Sequence, residues 1–323
     1  MNTTTLLSKR GLLNQTVREF FHRSDYLEVQ TPIIVPQPGV EAHMDYFETS
    51  LQGYRGESKP YWLRSSPEVH MKTLLSQGLE RIFQLSPCFR NGGEFTPWHH
   101  PEFTMLEWYK VDSTLEDLME ETHTLIHQSF DALGNSSLPK LTKLSVAEAF
   151  QEFTGLELID KDPDLGAKAH SKNLGSLNGE EDFETAFYKL QLELIEPNLK
   201  SLGYCCLYNY PASLAILSKL KDGWAQRFEF YLEGIELCNA YHELTDAEEN
   251  KDRIQQTMKE RTQLGKPPHD LDKQFQAALD KGLPACSGNA LGIDRLLALA
   301  LGLDGIPQLL PFRDQLNLEL FDI

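Results

Sequence analysis

The chain has 323 residues, 41% of them hydrophobic, and carries 48 acidic against 30 basic residues for a net charge of −18. That is enough apolar material for one large compact domain or two modest ones, and the acidic balance, with Lys and Arg scattered rather than clustered, argues against nucleic-acid binding and for a basic protein partner. No apolar run approaches the roughly eighteen residues of a membrane span, and the opening MNTTTLLSKRGLLNQ lacks a signal peptide's charged start and apolar core, so a cytoplasmic protein is expected.

Residues 8–24 place Leu12, Leu13, Val17, Phe20 and Phe21 at helical spacing, and residues 27–29 read as a strand that Pro32 ends or marks as an edge. Ser66-Pro67-Glu68 has the form of a helix start: serine as cap, proline at the first helical position and an acid near the positive end of the dipole. Two aromatic-rich runs, Arg81–Phe89 and 103–109, flank a loop with Gly92, Gly93, Pro97 and Pro101 and predict a long hairpin with a mobile tip. A helix is expected after Ser113, ending at Leu133 where Gly134-Asn135-Ser136-Ser137 breaks the pattern. Residues 139–203 are mostly helical in composition and read as an insertion into a single domain spanning 1–323. Strands at 205–210, 227–232 and 235–241, polar helices near 246–264 and 271–281, and a last helix at 292–301 after the segment SGNALG complete the pattern. Strands in hairpin order, not alternating with helices, give an α+β fold in which helices cover an antiparallel sheet.

The five cysteines form no C-x-x-C pair and read as buried thiols, and His123 and His127 read as a solvated helix face more readily than as a metal site. Neither a G-x-x-x-x-G-K-[ST] loop nor a strand-borne G-x-G-x-x-G is present, so a nucleotide site must be built from other parts. Glu229 and Glu236 flank a turn at Glu233-Gly234; if Leu232 faces Ile235, the two acids fall on one face, either as a cation site or as solvated acids of an exposed hairpin. Strict alternation puts Asn239 and Glu243 on the opposite face from Glu236, so a bulge or strand end is needed for all of them to converge. Arg90 and Arg295, on apolar elements, suit either phosphate or a structural carboxylate partner.

Four stretches together resemble the catalytic core of class II aminoacyl-tRNA synthetases, the lysine-specific branch in particular. YLEVQTPIIVP is similar to motif 1, the dimer interface of that family; SPCFRNGGEFTPWHHPEFTMLEWY to motif 2; RFEFYLEGIELCNAYHELTDAEE to the acidic strand pair; and SGNALGIDRL to motif 3. SSPEVHMK adds a match on the amino-acid side. The sequence opens directly on the motif 1-like stretch, so the anticodon-binding barrel of lysyl-tRNA synthetases is not expected and tRNA is not the expected acceptor. With ELCNAYHELTDA, this resembles the bacterial ligases that attach lysine or β-lysine to a lysine of elongation factor P.

The resemblance implies ATP and Mg²⁺, a homodimer, and a protein acceptor. Arg90 would hold the α-phosphate and Arg295 the γ-phosphate, both catalytic, with Phe103 stacked on adenine and Asn91, Glu94, His99, His100, Leu237 and Gly292 also lining the ATP site. Glu229 and Glu236 would hold Mg²⁺, Glu236 also facing the nucleotide. The amino acid would meet Ser66, Pro67, Glu68, Glu107, Tyr109, Asn239 and Glu243, with Ala290 replacing the usual glycine and reshaping the pocket for a β-amino acid. Gly92 and His100 depart from the family's glutamate and asparagine, and Glu94 is the expected substitute acid. Transfer of the adenylate to tRNA or a small molecule, or a catalytically inactive binding module, are the alternative functions.

Overall fold

The protein is described by a computed structural model for residues 1–93 and 96–312. The first helix, α1 (Thr3–Arg23), starts earlier than its apolar spacing indicates because the Asn2 side chain accepts from the Thr5 amide and caps it; its buried face is Leu6, Leu13, Val17, Phe20 and Phe21. Short strands β1 (Leu27–Glu28) and β2 (Ile34–Val35), a hairpin β3 (Phe47–Gln52) and β4 (Ser58–Leu63), helix α2 (Glu68–Ser76), and a long hairpin β5 (Arg81–Phe89) and β6 (Glu102–Val111) lead to α3 (Leu115–Leu133). Next come β7 (Thr142–Ser145), α4 (Val146–Thr154), α5 (Leu165–Ser171), α6 (Phe183–Leu190), a π-helical turn Gln191–Ile195, and α7 (Glu196–Leu199). Strands β8 (Tyr204–Pro211), β9 (Leu220–Lys221), β10 (Trp224–Leu232) and β11 (Ile235–His242) precede α8 (Ala247–Gln263), α9 (Lys273–Lys281), β12 (Cys286–Gly292) and α10 (Ile293–Ala300).

These elements form two compact units. The first comprises Met1–Thr114, Glu120–Ser136 and the described chain from Thr245 onward. Its sheet has the order β1-β5-β6-β12, with β1 parallel to β5 and the other pairs antiparallel, and β2, β4 and β3 form a second, small antiparallel sheet. The apolar face of α1 covers the main sheet: Phe21 stacks on Phe83 with centroids 4.7 Å apart and lies 5.4 Å from Trp108. Trp108 Nε1 and the Tyr26 hydroxyl both donate to Glu121 on α3, so the polar edges of these buried rings are satisfied.

Strand β12 is the element that composition conceals. Its residues are small and poor strand formers, yet Cys286–Gly292 pairs with β6 along its whole length, from Cys286↔Val111 to Gly292↔Met105. Sheet pairing overrides intrinsic preference here.

The second unit comprises Leu115–Met119 and Ser137–Leu244. Its sheet has the order β11-β10-β8-β7, antiparallel except for β7 against β8, with β9 paired to β10. Ser145 and Glu148 form a reciprocal capping box at the start of α4, and Phe150 stacks on Phe187 at 5.0 Å in a core shared with Leu190, Ile195, Leu207, Tyr210 and Tyr231. Each unit is thus a mixed, mostly antiparallel sheet with helices against it, the α+β class expected. All five cysteines are buried thiols, and burial pushes Cys88 and Cys205 up to about 12. Among the described residues no helix is long and apolar enough to cross a membrane.

Candidate active site

In the first unit the β5–β6 hairpin and α10 bring the Arg295 guanidinium to the His99 imidazole, and the charge of Arg90, stacked near Phe103, reaches the same ring. Arg90 follows β5, its amide donating to the Pro101 carbonyl, and its guanidinium lies 5.2 Å from the centroid of Phe103. Arg295, in the first turn of α10, donates through Nε to the Trp98 carbonyl at 3.1 Å and through Nη2 to His99 Nε2 at 2.8 Å. An arginine only donates, so His99 accepts at Nε2 and carries its proton on Nδ1, which meets Thr96 Oγ1 at 2.6 Å. Packing around the ring, then the charges of Arg295 and Arg90, pull His99 down to about 4. His99 is therefore neutral near pH 7, and two permanent cations share its neighbourhood, as an anionic phosphate group requires. His100 Nδ1 is turned back to the Glu102 carbonyl at 2.6 Å.

The expected substitute acid, Glu94, lies outside the described residues. An acid does stand at this place: Asp45 pairs with Asn91 in an isolated bridge, and its carboxylate meets Lys266 Nζ at 2.8 Å. Gly92 adopts φ +61°, and a Cβ added there would come within 2.7 Å of Asp45 Oδ2. The left-handed backbone favours glycine, and a side chain there would have to displace the Asp45 carboxylate.

On the same face of this sheet sits a carboxylate suited to an ammonium group. Cross-strand partners share a face, so Phe103, Met105, Glu107 and Tyr109 lie on one side of β6, opposite Gly292, Ala290 and Gly288 of β12. The small residues of β12 put no long side chain against Glu107, which is buried. Glu107 accepts from the Ser66 hydroxyl at 2.6 Å and from the Tyr109 hydroxyl at 3.2 Å, and the Ser66 hydroxyl also accepts from the Glu68 amide at 3.0 Å. Burial lifts Glu107 to about 8; the bonds from Ser66 and Tyr109 and the charge of Arg64 oppose the rise, while Glu68 adds to it. Glu68, at the start of α2 directly after Pro67, pairs with buried Lys72 at 2.6 Å. Ser66 and Glu68 also line a cleft of about 20 Å³ with Gly39, Glu41 and His70.

In the second unit the β10–β11 hairpin has the register its turn predicts, Leu232↔Ile235 and Tyr231↔Glu236, and then shifts: Phe230 faces Cys238 and Glu229 faces Asn239. The extra residue is Leu237. This bulge is what brings Glu236 and Asn239 to one face with Arg227, Glu229 and Tyr231, an arrangement that strict alternation forbids. Glu243, just beyond β11, is buried and forms an isolated bridge with Ser218.

Glu229 is surrounded by protein donors. One oxygen meets Arg227 Nη2 at 2.5 Å, and the other accepts from the hydroxyls of Tyr210 and Tyr231, each at 2.5 Å. Arg227 Nε donates in turn to Asn239 Oδ1 at 3.1 Å. Carboxylate oxygens are the ligands Mg²⁺ prefers, but those of Glu229 are already engaged by Arg227, Tyr210 and Tyr231, so Glu229 does not fit as a direct ligand; Glu236, half-buried, offers a second carboxylate on the same face. Sequence reasoning missed Arg227, Tyr210, Tyr231 and Glu196 here. Only Arg227, two residues before Glu229 on one strand face, carried a visible signal. Burial and then the charges of Glu229 and Glu236 lift Glu196 to about 7. His123 and His127 belong to no cluster with metal-ligand spacing among the described residues.

An antiparallel sheet with Arg90 at the end of its long hairpin strand and Arg295 on the helix that follows its last strand has the make-up of a class II synthetase core. The family described as tRNA synthetases class II (D, K and N) matches residues 2–315, and the chain belongs to it. Within it the chain belongs with the elongation factor P–(R)-β-lysine ligases. It is 38% identical over 311 residues to the ligase of that name from Pasteurella multocida (strain Pm70), covering 95% of this chain and 94% of the relative. To that from Avibacterium paragallinarum it is 38% identical over 313 residues, with the same coverage, and to that from Haemophilus influenzae (strain ATCC 51907 / DSM 11121 / KW20 / Rd) 36% identical over 308 residues, covering 94% and 93%.

Proposed function

We propose that the protein is a cytoplasmic ligase that activates lysine or β-lysine with ATP and transfers the aminoacyl group to a lysine side chain of elongation factor P. The observation that carries this reading is Arg295 donating to neutral His99 while Arg90 lies over Phe103, on the hairpin whose sheet face also holds Tyr109 and Glu107, the latter bonded by Ser66. Membership of a ligase family supports the same reaction class.

The amino acid's carboxylate oxygen forms a bond to the α-phosphorus of ATP as the bond to the β-phosphate bridging oxygen breaks, and pyrophosphate leaves. We assign the α-phosphate to Arg90 and the γ-phosphate to Arg295, adenine to the Phe103 ring, and the substrate's amino group to Glu107 and Glu68. Asn239 and Glu243 are assigned to the rest of the amino acid; a carboxylate at Glu243 favours a substrate with a distal ammonium, because an uncharged analogue leaves a buried charge unmatched. Mg²⁺, which we assign to Glu236, neutralises phosphate charge when bound. The neutral amine of the acceptor lysine then attacks the acyl carbon, and AMP departs. No protein nucleophile is needed.

Exposed Leu7, Leu12, Leu27 and Ile34 on α1, β1 and β2 support a homodimer formed through the motif 1-like stretch. The test of the whole reading is pyrophosphate exchange with each lysine isomer, followed by transfer of labelled amino acid to elongation factor P and, in parallel, to tRNA. Exchange with neither isomer would overturn activation, and label on tRNA alone would overturn the acceptor.

A further inference from the structure

The π-helical turn Gln191–Ile195 lies between α6 and α7 and is closed by a hydrogen bond from the Glu196 amide to the Gln191 carbonyl. In an α-helix, residues five apart point about 140° away from each other. The wider turn removes that divergence, and both side chains face the same way: Gln191 Nε2 donates to Glu196 Oε1 at 3.2 Å. Such turns cost local stability and recur where a side chain must be aimed.

What they aim at is the hydroxyl of Tyr231, which is fully buried. Gln191 Nε2 donates to that oxygen at 3.3 Å, and the hydroxyl lies 3.2 Å from Glu196 Oε1, so the three groups close a triangle. The Tyr231 hydroxyl also sits 2.5 Å from Glu229 Oε2. From Glu229 the contacts run on to Arg227 and from Arg227 Nε to Asn239 Oδ1. Every group in this chain except Glu196 and Asn239 is buried to 95% or more.

We propose that Glu196, set by the π turn and Gln191, is a positioning residue: it holds Tyr231 so that the Glu229–Arg227 pair presents Asn239 in one orientation to the amino-acid substrate. The proposal rests on the reaction and the Asn239 assignment proposed above. Glu196 touches no substrate. The single proton of the Tyr231 hydroxyl goes to Glu229, so Glu196 is tied to Tyr231 through Gln191 Nε2, which donates to both oxygens; glutamine in place of Glu196 keeps an oxygen that accepts from Gln191, while alanine does not.

Pyrophosphate exchange on the full-length protein tests this, with KM for amino acid and for ATP measured separately and thermal unfolding recorded for each variant. Glu196→Ala is expected to raise KM for the amino acid about tenfold, the loss of one hydrogen bond to a charged network, with kcat and KM for ATP within about threefold of the original. Glu196→Gln is expected to return KM to within about threefold. Tyr231→Phe reproduces the Glu196→Ala effect, and the double variant is no worse than either single one. An unchanged amino-acid KM in Glu196→Ala, equal rises in both KM values, failure of glutamine to rescue, or additive effects in the double variant would each overturn the proposal. If the unaltered protein exchanges with no lysine isomer, it is the proposed function that fails, and the positioning role falls with it; exchange with an additive double variant sinks the positioning role alone.

Discussion

Arg227 and Glu229 stand two residues apart on one face of β10 and form a salt bridge at 2.5 Å, with side-chain exposures of 6% and 5%. A pair so deeply buried is expensive to separate, because either partner left alone is an uncompensated charge in the interior. Arg227→Ala is therefore expected to destabilise the protein by about 3–5 kcal/mol, read from urea unfolding, while Arg227→Met combined with Glu229→Leu recovers most of that loss. A single substitution as mild as a surface one would show that the pair is solvated.

Glu107 sits near 8 because burial favours its neutral form. Its folded-state value lies above its unfolded one of 4.5, so its contribution to stability is full below about pH 4.5 and disappears as pH rises through about 8. An ammonium substrate reverses the preference and must displace the proton. KM for the amino acid in exchange should thus fall as pH rises from 6 toward 8, by up to roughly tenfold per pH unit. Glu107→Gln should weaken binding and flatten that profile, and a slope that survives the substitution would assign it to another group.

Arg295→Ala should lower kcat/KM for ATP by about 10²–10³, the range for removing one preorganised cation or donor from a developing anion. Because His99 stays neutral down to about pH 4, no limb attributable to it should appear in the profile between pH 5.5 and 7. Thr96→Val, which removes the partner of His99 Nδ1, is expected to reduce the rate far less; equal losses from the two variants would contradict a merely supporting role for the imidazole.

Gly92→Ala forces a side chain into a left-handed backbone position and against Asp45, at a cost of about 1–2 kcal/mol. Since Arg90 and Asn91 immediately precede it, a raised KM for ATP with little change in the amino-acid KM is the expected result. An increase confined to the amino acid would place the hairpin tip elsewhere in the reaction.

Much of the fold was legible because its elements announce themselves locally. The run Arg81–Phe89 is apolar with aromatics, and the structure returns the same residues as a strand. β3 and β4 were not seen, since FETSLQ and SKPYWL are exposed or half-exposed throughout and carry no burial pattern. The need for a bulge near Glu236 was legible from parity, but its position at Leu237 was not, because only pairing with β10 fixes which residue is extra. Glu196 left no trace in the sequence: its reach to Tyr231 depends on a π turn that helical spacing cannot anticipate. The acid beside Gly92 was sought in the hairpin itself, whereas the fold brings Asp45 to it from a different segment.

The five cysteine side chains are all sealed inside, and those of Cys88 and Cys205 hold their protons up to about pH 12. Alkylating agents and peroxide consequently find no reactive sulfur on the native surface. Any labelling that does occur becomes a clock for how often the interior breathes open, and its rate can be followed without adding substrate.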